Sequence, residues 1–147
     1  MITLDIYADP VCPWCLIGKA WLDQALAARP GHGLAITWWP FQLNPDLPAG
    51  GMDRRDYLEA KFGSQQAAVQ TYLRVVQAAE AAGVQIDLAR ITRQPNTRDA
   101  QRLLYWAALE GRQGAVMDAL MAGYFTQGLD IGEHGNEAYP DFTPAHK

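Results

Sequence analysis

DPVCPWCLIGKAWL, residues 9–22, carries both cysteines of the 147-residue chain, spaced Cys-x-x-Cys where one periodicity gives way to another. Before it, Ile2, Leu4, Ile6 and Ala8 alternate with Thr3, Asp5 and Tyr7, the two-residue period of a strand, and Asp9-Pro10 stops it. From Pro13 onward, apolar residues fall at Trp14, Ile17, Trp21 and Ala25 and at Gly18, Leu22 and Leu26, a helical spacing halted by Arg29-Pro30-Gly31. LAITWWPFQL, 34–43, is a β-branched and aromatic run that reads as a second buried strand, with Pro40 at its end or at an edge. Strand, helix and strand make a βαβ unit over residues 1–45, whose two strands are parallel.

Past NPDLPAGG the pattern changes. Asp53 caps a short helix through Phe62, closed by Gly63, and Ser64 caps a longer one that carries the stripe Val69, Leu73, Val76 and Ala79 to Gly83. Asn96 or Thr97 opens a third helix with Ala100, Leu103, Leu104 and Ala107 inward, and a fourth holds Met117, Leu120, Met121, Tyr124 and Phe125. Residues 53–128 therefore read as a helical block whose Met and aromatic stripes pack helix on helix. Residues 133–147 show neither period and read as a poorly ordered or foreign tail, leaving one domain over 1–132.

Composition supports one domain with a core that needs no disulfide staples: 49% of residues are hydrophobic, five of them tryptophan and six tyrosine. The formal charge is −4 with no Lys/Arg cluster, which argues against nucleic acid and anionic membranes as partners. MITLDIYADP lacks the basic and apolar regions of a secretion signal and contains no membrane span, so a cytoplasmic location is expected. In that reducing compartment a Cys-x-x-Cys is expected to be catalytic or metal-binding rather than a structural disulfide.

A helix that starts just after Cys12 aims free N–H groups and its dipole at that sulfur, favouring the thiolate. Pro13 suits the first helical position, and Cys15 comes round to the same face, placed to attack a mixed disulfide on Cys12. Asp9 is expected to raise the thiol pKa and Lys19, one turn beyond Cys15, to lower it. Two other readings stay open. A zinc site needs more ligands, and His32, His134 and His146 stand at no companion spacing, so no metal is expected. The alternative of two inert buried thiols is weakened by context, because Cys-x-x-Cys at a strand-to-helix junction is a thioredoxin-like arrangement.

Four separated motifs, DPVCPWCLIGK, WWPFQLNP, PNTRDAQRLLYWA and YFTQGLDIG, resemble in order the cytoplasmic, FrnE-type branch of the DsbA-like family. That branch is related to 2-hydroxychromene-2-carboxylate isomerases and kappa-class glutathione transferases. The resemblance covers residues 2–132 and implies an α/β fold: a thioredoxin-like βαβ start, then an all-helical insertion over the active-site face. It also implies that Cys12 is the nucleophile and Cys15 the resolving thiol, with Pro13 and Trp14 in support. The relatives' cis-proline loop and C-terminal ββα half find no counterpart, and Pro140 and Pro144 are not assigned that role. The expected consequence is an unpaired edge on the first strand, ITLDIYA, through which the chain forms a homodimer.

Three functions are consistent with these residues. The first is a thiol-disulfide oxidoreductase acting on protein or small-molecule disulfides, with no bound cofactor and glutathione as a candidate co-substrate. The second is a glutathione-dependent isomerase or transferase acting on aromatic small molecules in a pocket lined by Trp14, Trp39, Phe41, Tyr105 and Trp106, although each of these reads more readily as core, the usual place of aromatic side chains. The third is a non-catalytic interaction domain. Asn44, Asn96 and Arg98 match family motifs and are weak candidates for the substrate pocket, although Asn44 also reads as a turn former and Asn96 as a helix cap.

Overall fold

In the computed structural model, which describes residues 1–133, the βαβ unit forms as its periodicities require. Strands β1 (Ile2–Ala8) and β2 (Leu34–Pro40) pair in parallel, from Ile2 opposite Leu34 to Ala8 opposite Pro40, and helix α1 (Pro13–Ala28) joins them. Leu4, Ile6 and Ala8 turn inward while Thr3, Asp5 and Tyr7 stay exposed. The apolar run at 34–43 outlasts the strand. The Phe41 amide still donates to the Ala8 carbonyl at 3.2 Å, but the Leu43 amide donates to the Asp9 carboxylate at 3.0 Å, and the chain leaves the sheet.

The block at 53–128 is not wholly helical. Between β2 and the C-terminal helices come β3 (Met52–Asp53), α2 (Arg54–Phe62), α3 (Gln65–Ala81), a 3₁₀ turn at Leu88–Arg90 and β4 (Arg93–Gln94), then α4 (Arg98–Leu109) and α5 (Gln113–Gln127). Strands β3 and β4 form an antiparallel ribbon of two residues each, too short to leave a period in the sequence. Both expected caps are present. Asp53 accepts from the Asp56 amide at 3.3 Å, and Ser64 accepts from the Ala67 amide at 3.1 Å.

Helix α5 is the hub of the core. Val116, Met117, Leu120, Met121, Tyr124 and Phe125 are buried along it, facing Ala100, Leu104 and Ala107 of α4, Trp38 of β2 and Ala8. A smaller cluster of Ile17, Val75, Ala79 and Ala82 locks α1 to α3. Here the face expected for α3 is corrected in part: Ala79 is buried as expected and Val76 is half-buried, but Val69 and Leu73 are 61% and 56% exposed, and Ala68 and Val75 take the inward places. Alanines let α3 approach its neighbours closely, so the bulkier stripe turns outward.

Two glutamines finish the polar bookkeeping of the sheet. Gln113 accepts from the Trp38 amide and donates to the Trp38 carbonyl, both at 2.8 Å, acting as a one-residue strand beside β2. Gln101 donates to the Ala8 carbonyl at 2.9 Å. Among the described residues β1 pairs only with β2, and its other edge is open.

Gly63 and Gly128 close α2 and α5 in the left-handed region, at φ of 85° and 69°. A Cβ on Gly63 meets open space, whereas one on Gly128 falls 2.1 Å from the Arg90 carbonyl oxygen. Gly63→Ala should therefore cost only the backbone penalty, about 1–2 kcal/mol, and Gly128→Ala about 3 kcal/mol or more, because backbone must also move. Urea unfolding of the two variants checks the order; equal losses would contradict the contact at Arg90.

Candidate active site

The sulfurs stand at the N-terminus of α1. Cys12 is the residue just outside the helix, in extended conformation (φ −82°, ψ 117°), and Pro13 occupies the first turn, where its missing N–H deprives no carbonyl. The helix then carries Cys15 back over Cys12, and both thiols are free and half-buried. The Cys15 thiol hydrogen-bonds the Cys12 sulfur and is the largest influence on it. Burial opposes, the amides of Cys15 and Trp14 assist, and the balance holds the Cys12 thiol down at about 6. The same hydrogen bond, reinforced by burial, drives the Cys15 thiol far above the ordinary range. One sulfur is thus an anion at neutral pH and its neighbour a proton donor, the asymmetry that a nucleophile and a resolving thiol require.

Asp9 underlies the pair. Its carboxylate is buried and accepts from the Val11 amide at 3.3 Å, the Leu43 amide at 3.0 Å and the Thr97 hydroxyl at 3.4 Å. It therefore ties the cysteine loop to the end of β2 and to the start of α4. Burial raises its own pKa despite these bonds, and its charge raises the Cys12 pKa slightly, as its position in sequence suggests.

Lys19 does not play the part expected of it. Its ammonium lies 2.8 Å from Asp23 and 2.6 Å from Asp118, and stacks near Trp38, so its charge serves to fasten α1 to α5. Burial disfavours that charge, but the two carboxylates prevail and raise its pKa.

The sequence matches the DSBA-like thioredoxin domain over residues 3–138. The chain belongs to this family. An uncharacterised protein, YwbO, of Bacillus subtilis is 26% identical over 132 residues, which cover 90% of this chain and 60% of that protein. The crystal structure of a probable DsbA oxidoreductase from Streptomyces coelicolor superposes with a TM-score of 0.79 at 29% identity, covering 90% of this chain and 58% of the other. The chain thus spans about three-fifths of the length of each of these relatives.

Within this DsbA-like domain, the remaining candidate residues are largely structural. Asn44 donates to the Tyr57 hydroxyl at 3.0 Å, and its carbonyl closes a turn with Leu47. Asn96 accepts from the Arg98 amide at 3.0 Å and from Gln42, and donates to the Leu47 carbonyl, so it pins a loop and supports the start of α4. Thr97, not Asn96, is the residue that precedes α4. Arg98 is exposed beside a cleft lined by Pro45, Leu47, Asn96 and Gly132.

Of the aromatic residues expected as core or pocket wall, none is fully buried. Trp14, Phe41, Tyr105 and Trp106 are each more than half exposed, and Trp39 is 38% exposed because Trp38, its neighbour in the strand's two-residue period, takes the inward position. The bonds of Thr97 to Asp9, Gln101 to Ala8 and Gln113 to Trp38 escaped the sequence reading, since polar contacts that span 75 or more positions leave no local signal. Among the described residues no three His, Cys, Asp or Glu side chains converge to hold a metal, and no helix is long and apolar enough to cross a membrane. Residues 134–147, which include His134, His146 and the tail reading, lie outside the described residues.

Proposed function

We propose that this domain is a thiol-disulfide oxidoreductase in which Cys12 is the nucleophile and Cys15 the resolving thiol. The observation that carries it is the placement of two free, half-buried thiols at one helix N-terminus, Cys12 just outside α1 and Cys15 in its first turn, an arrangement that favours the Cys12 thiolate. Membership of the DsbA-like family, and the likeness to a probable DsbA oxidoreductase, support the same chemistry.

The Cys12 thiolate attacks one sulfur of a substrate disulfide. A Cys12–substrate disulfide forms, the substrate S–S bond breaks, and the departing thiolate takes a proton from solvent. Cys15 then gives up its proton and attacks Cys12 Sγ, releasing the second substrate sulfur as a thiolate and closing Cys12–Cys15. The substrate disulfide gains two electrons and the protein dithiol loses two; run backward, the same steps oxidise a substrate dithiol. Protein disulfides and oxidised glutathione are the proposed partners, in a cytoplasmic setting and without a bound cofactor.

Trapping tests the assignment of roles. Incubated with oxidised glutathione, Cys15→Ser should accumulate one glutathione on Cys12 by intact mass, while Cys12→Ser should accumulate far less. Equal labelling of the two variants would reverse or remove the assignment.

The open edge of β1 supports a second proposal, pairing with another copy through ITLDIYA. Light scattering should show mass rising with concentration, and a constant monomer mass would contradict it.

A further inference from the structure

Away from the cysteines, α2 and α3 and the segment that follows the 3₁₀ turn enclose a groove of about 600 Å³, a size that suits a small organic ligand. Its walls are chiefly Leu58, Val69, Tyr72, Leu73, Val76 and Ile91. Val69 and Leu73 are the exposed stripe of α3, apolar surface that the fold leaves uncovered.

One charged side chain in this wall is out of keeping with it. Arg54 is only 8% exposed. Its Nη1 donates to Gln94 Oε1 and, at 2.9 Å, to the Tyr124 hydroxyl, and its guanidinium lies 5.2 Å from the centre of the Tyr72 ring. All three partners are neutral: burial raises the Tyr124 pKa, so it stays a phenol. Among the described residues no carboxylate forms an ion pair with Arg54. Asp53, also on the groove, is engaged in capping α2. A buried cation without an anion is costly, and such cations are ordinarily paired.

We propose that this groove binds an amphipathic carboxylate, its alkyl chain along Val69, Leu73 and Val76 and its head group paired with Arg54. The missing anion and the uncovered apolar stripe are then supplied by one molecule. The site is independent of the thiol chemistry.

Calorimetric titration of the full chain with octanoate, decanoate and dodecanoate, below micelle formation, tests it. One saturable site is expected, tightening about fourfold per added methylene. Dodecanol and dodecyltrimethylammonium should bind at least tenfold more weakly than dodecanoate. Leu73→Glu, a change at an exposed position, should weaken dodecanoate at least tenfold, and Arg54→Gln should abolish the preference for dodecanoate over dodecanol. Cys12→Ser should bind as wild type. No saturable binding, equal affinity for dodecanol and dodecanoate, or unchanged binding by Leu73→Glu would overturn the proposal, whether or not Arg54→Gln folds.

Discussion

Replacing Cys15 with alanine should slow alkylation of Cys12 by iodoacetamide about 20-fold at pH 6, and move the midpoint of its pH profile from about 6 toward the ordinary thiol value of 9.0. The Cys15 thiol is the largest cause of the low Cys12 value, and alanine removes it. The thiolate fraction at pH 6 then falls by a factor on the order of 500, while the more basic thiolate recovers part of the rate through its greater intrinsic nucleophilicity. The sign extends to stability. Because the folded Cys12 pKa lies below its unfolded value, the reduced protein gains stability as pH rises from about 6 toward 9 and loses it as pH falls through about 6. Reduced wild type should show that trend relative to Cys12→Ser. An unshifted alkylation midpoint in Cys15→Ala would mean that the helix start alone sets the Cys12 acidity.

Gln113→Leu should destabilise the domain by about 2–4 kcal/mol with little change in the denaturant slope. The leucine fills similar space but leaves the Trp38 amide and carbonyl without their side-chain partners, and withdraws a 3.0 Å donor from the Leu104 carbonyl. Gln127→Leu, on the exposed end of α5, should stay within about 0.5 kcal/mol of wild type. Similar losses in the two variants would mean that Gln113 does not finish the β2 edge.

The parts of this structure that sequence revealed are those set by near neighbours. The alternation at Ile2–Ala8, the helix opening at Pro13, the caps at Asp53 and Ser64 and the closing glycines all declare themselves within a few residues, and so does the placement of Cys12 and Cys15 at a helix start. What escaped depends on distant chain. Lys19 looked like an electrostatic aid to the thiolate because Asp118, which claims it, lies on α5. The α3 stripe looked inward because periodicity finds an apolar face without saying which neighbour is present to cover it. Asp9 appeared only as a nearby charge, whereas its bonds to Leu43 and Thr97 make it the joint between three segments. Trp38 and Trp39 are consecutive in a strand, so only one of them can face the core, and the run of apolar residues does not say which.

An equilibrium titration of the full chain in glutathione buffers, with thiols trapped by alkylation and each species read by mass, bears most directly on the dithiol couple. The account predicts a single two-electron transition to an intramolecular Cys12–Cys15 disulfide, absent from Cys12→Ser and replaced in Cys15→Ser by a glutathione mixed disulfide. Two thiols that remain free across the whole range, or that alkylate only on unfolding, would contradict it.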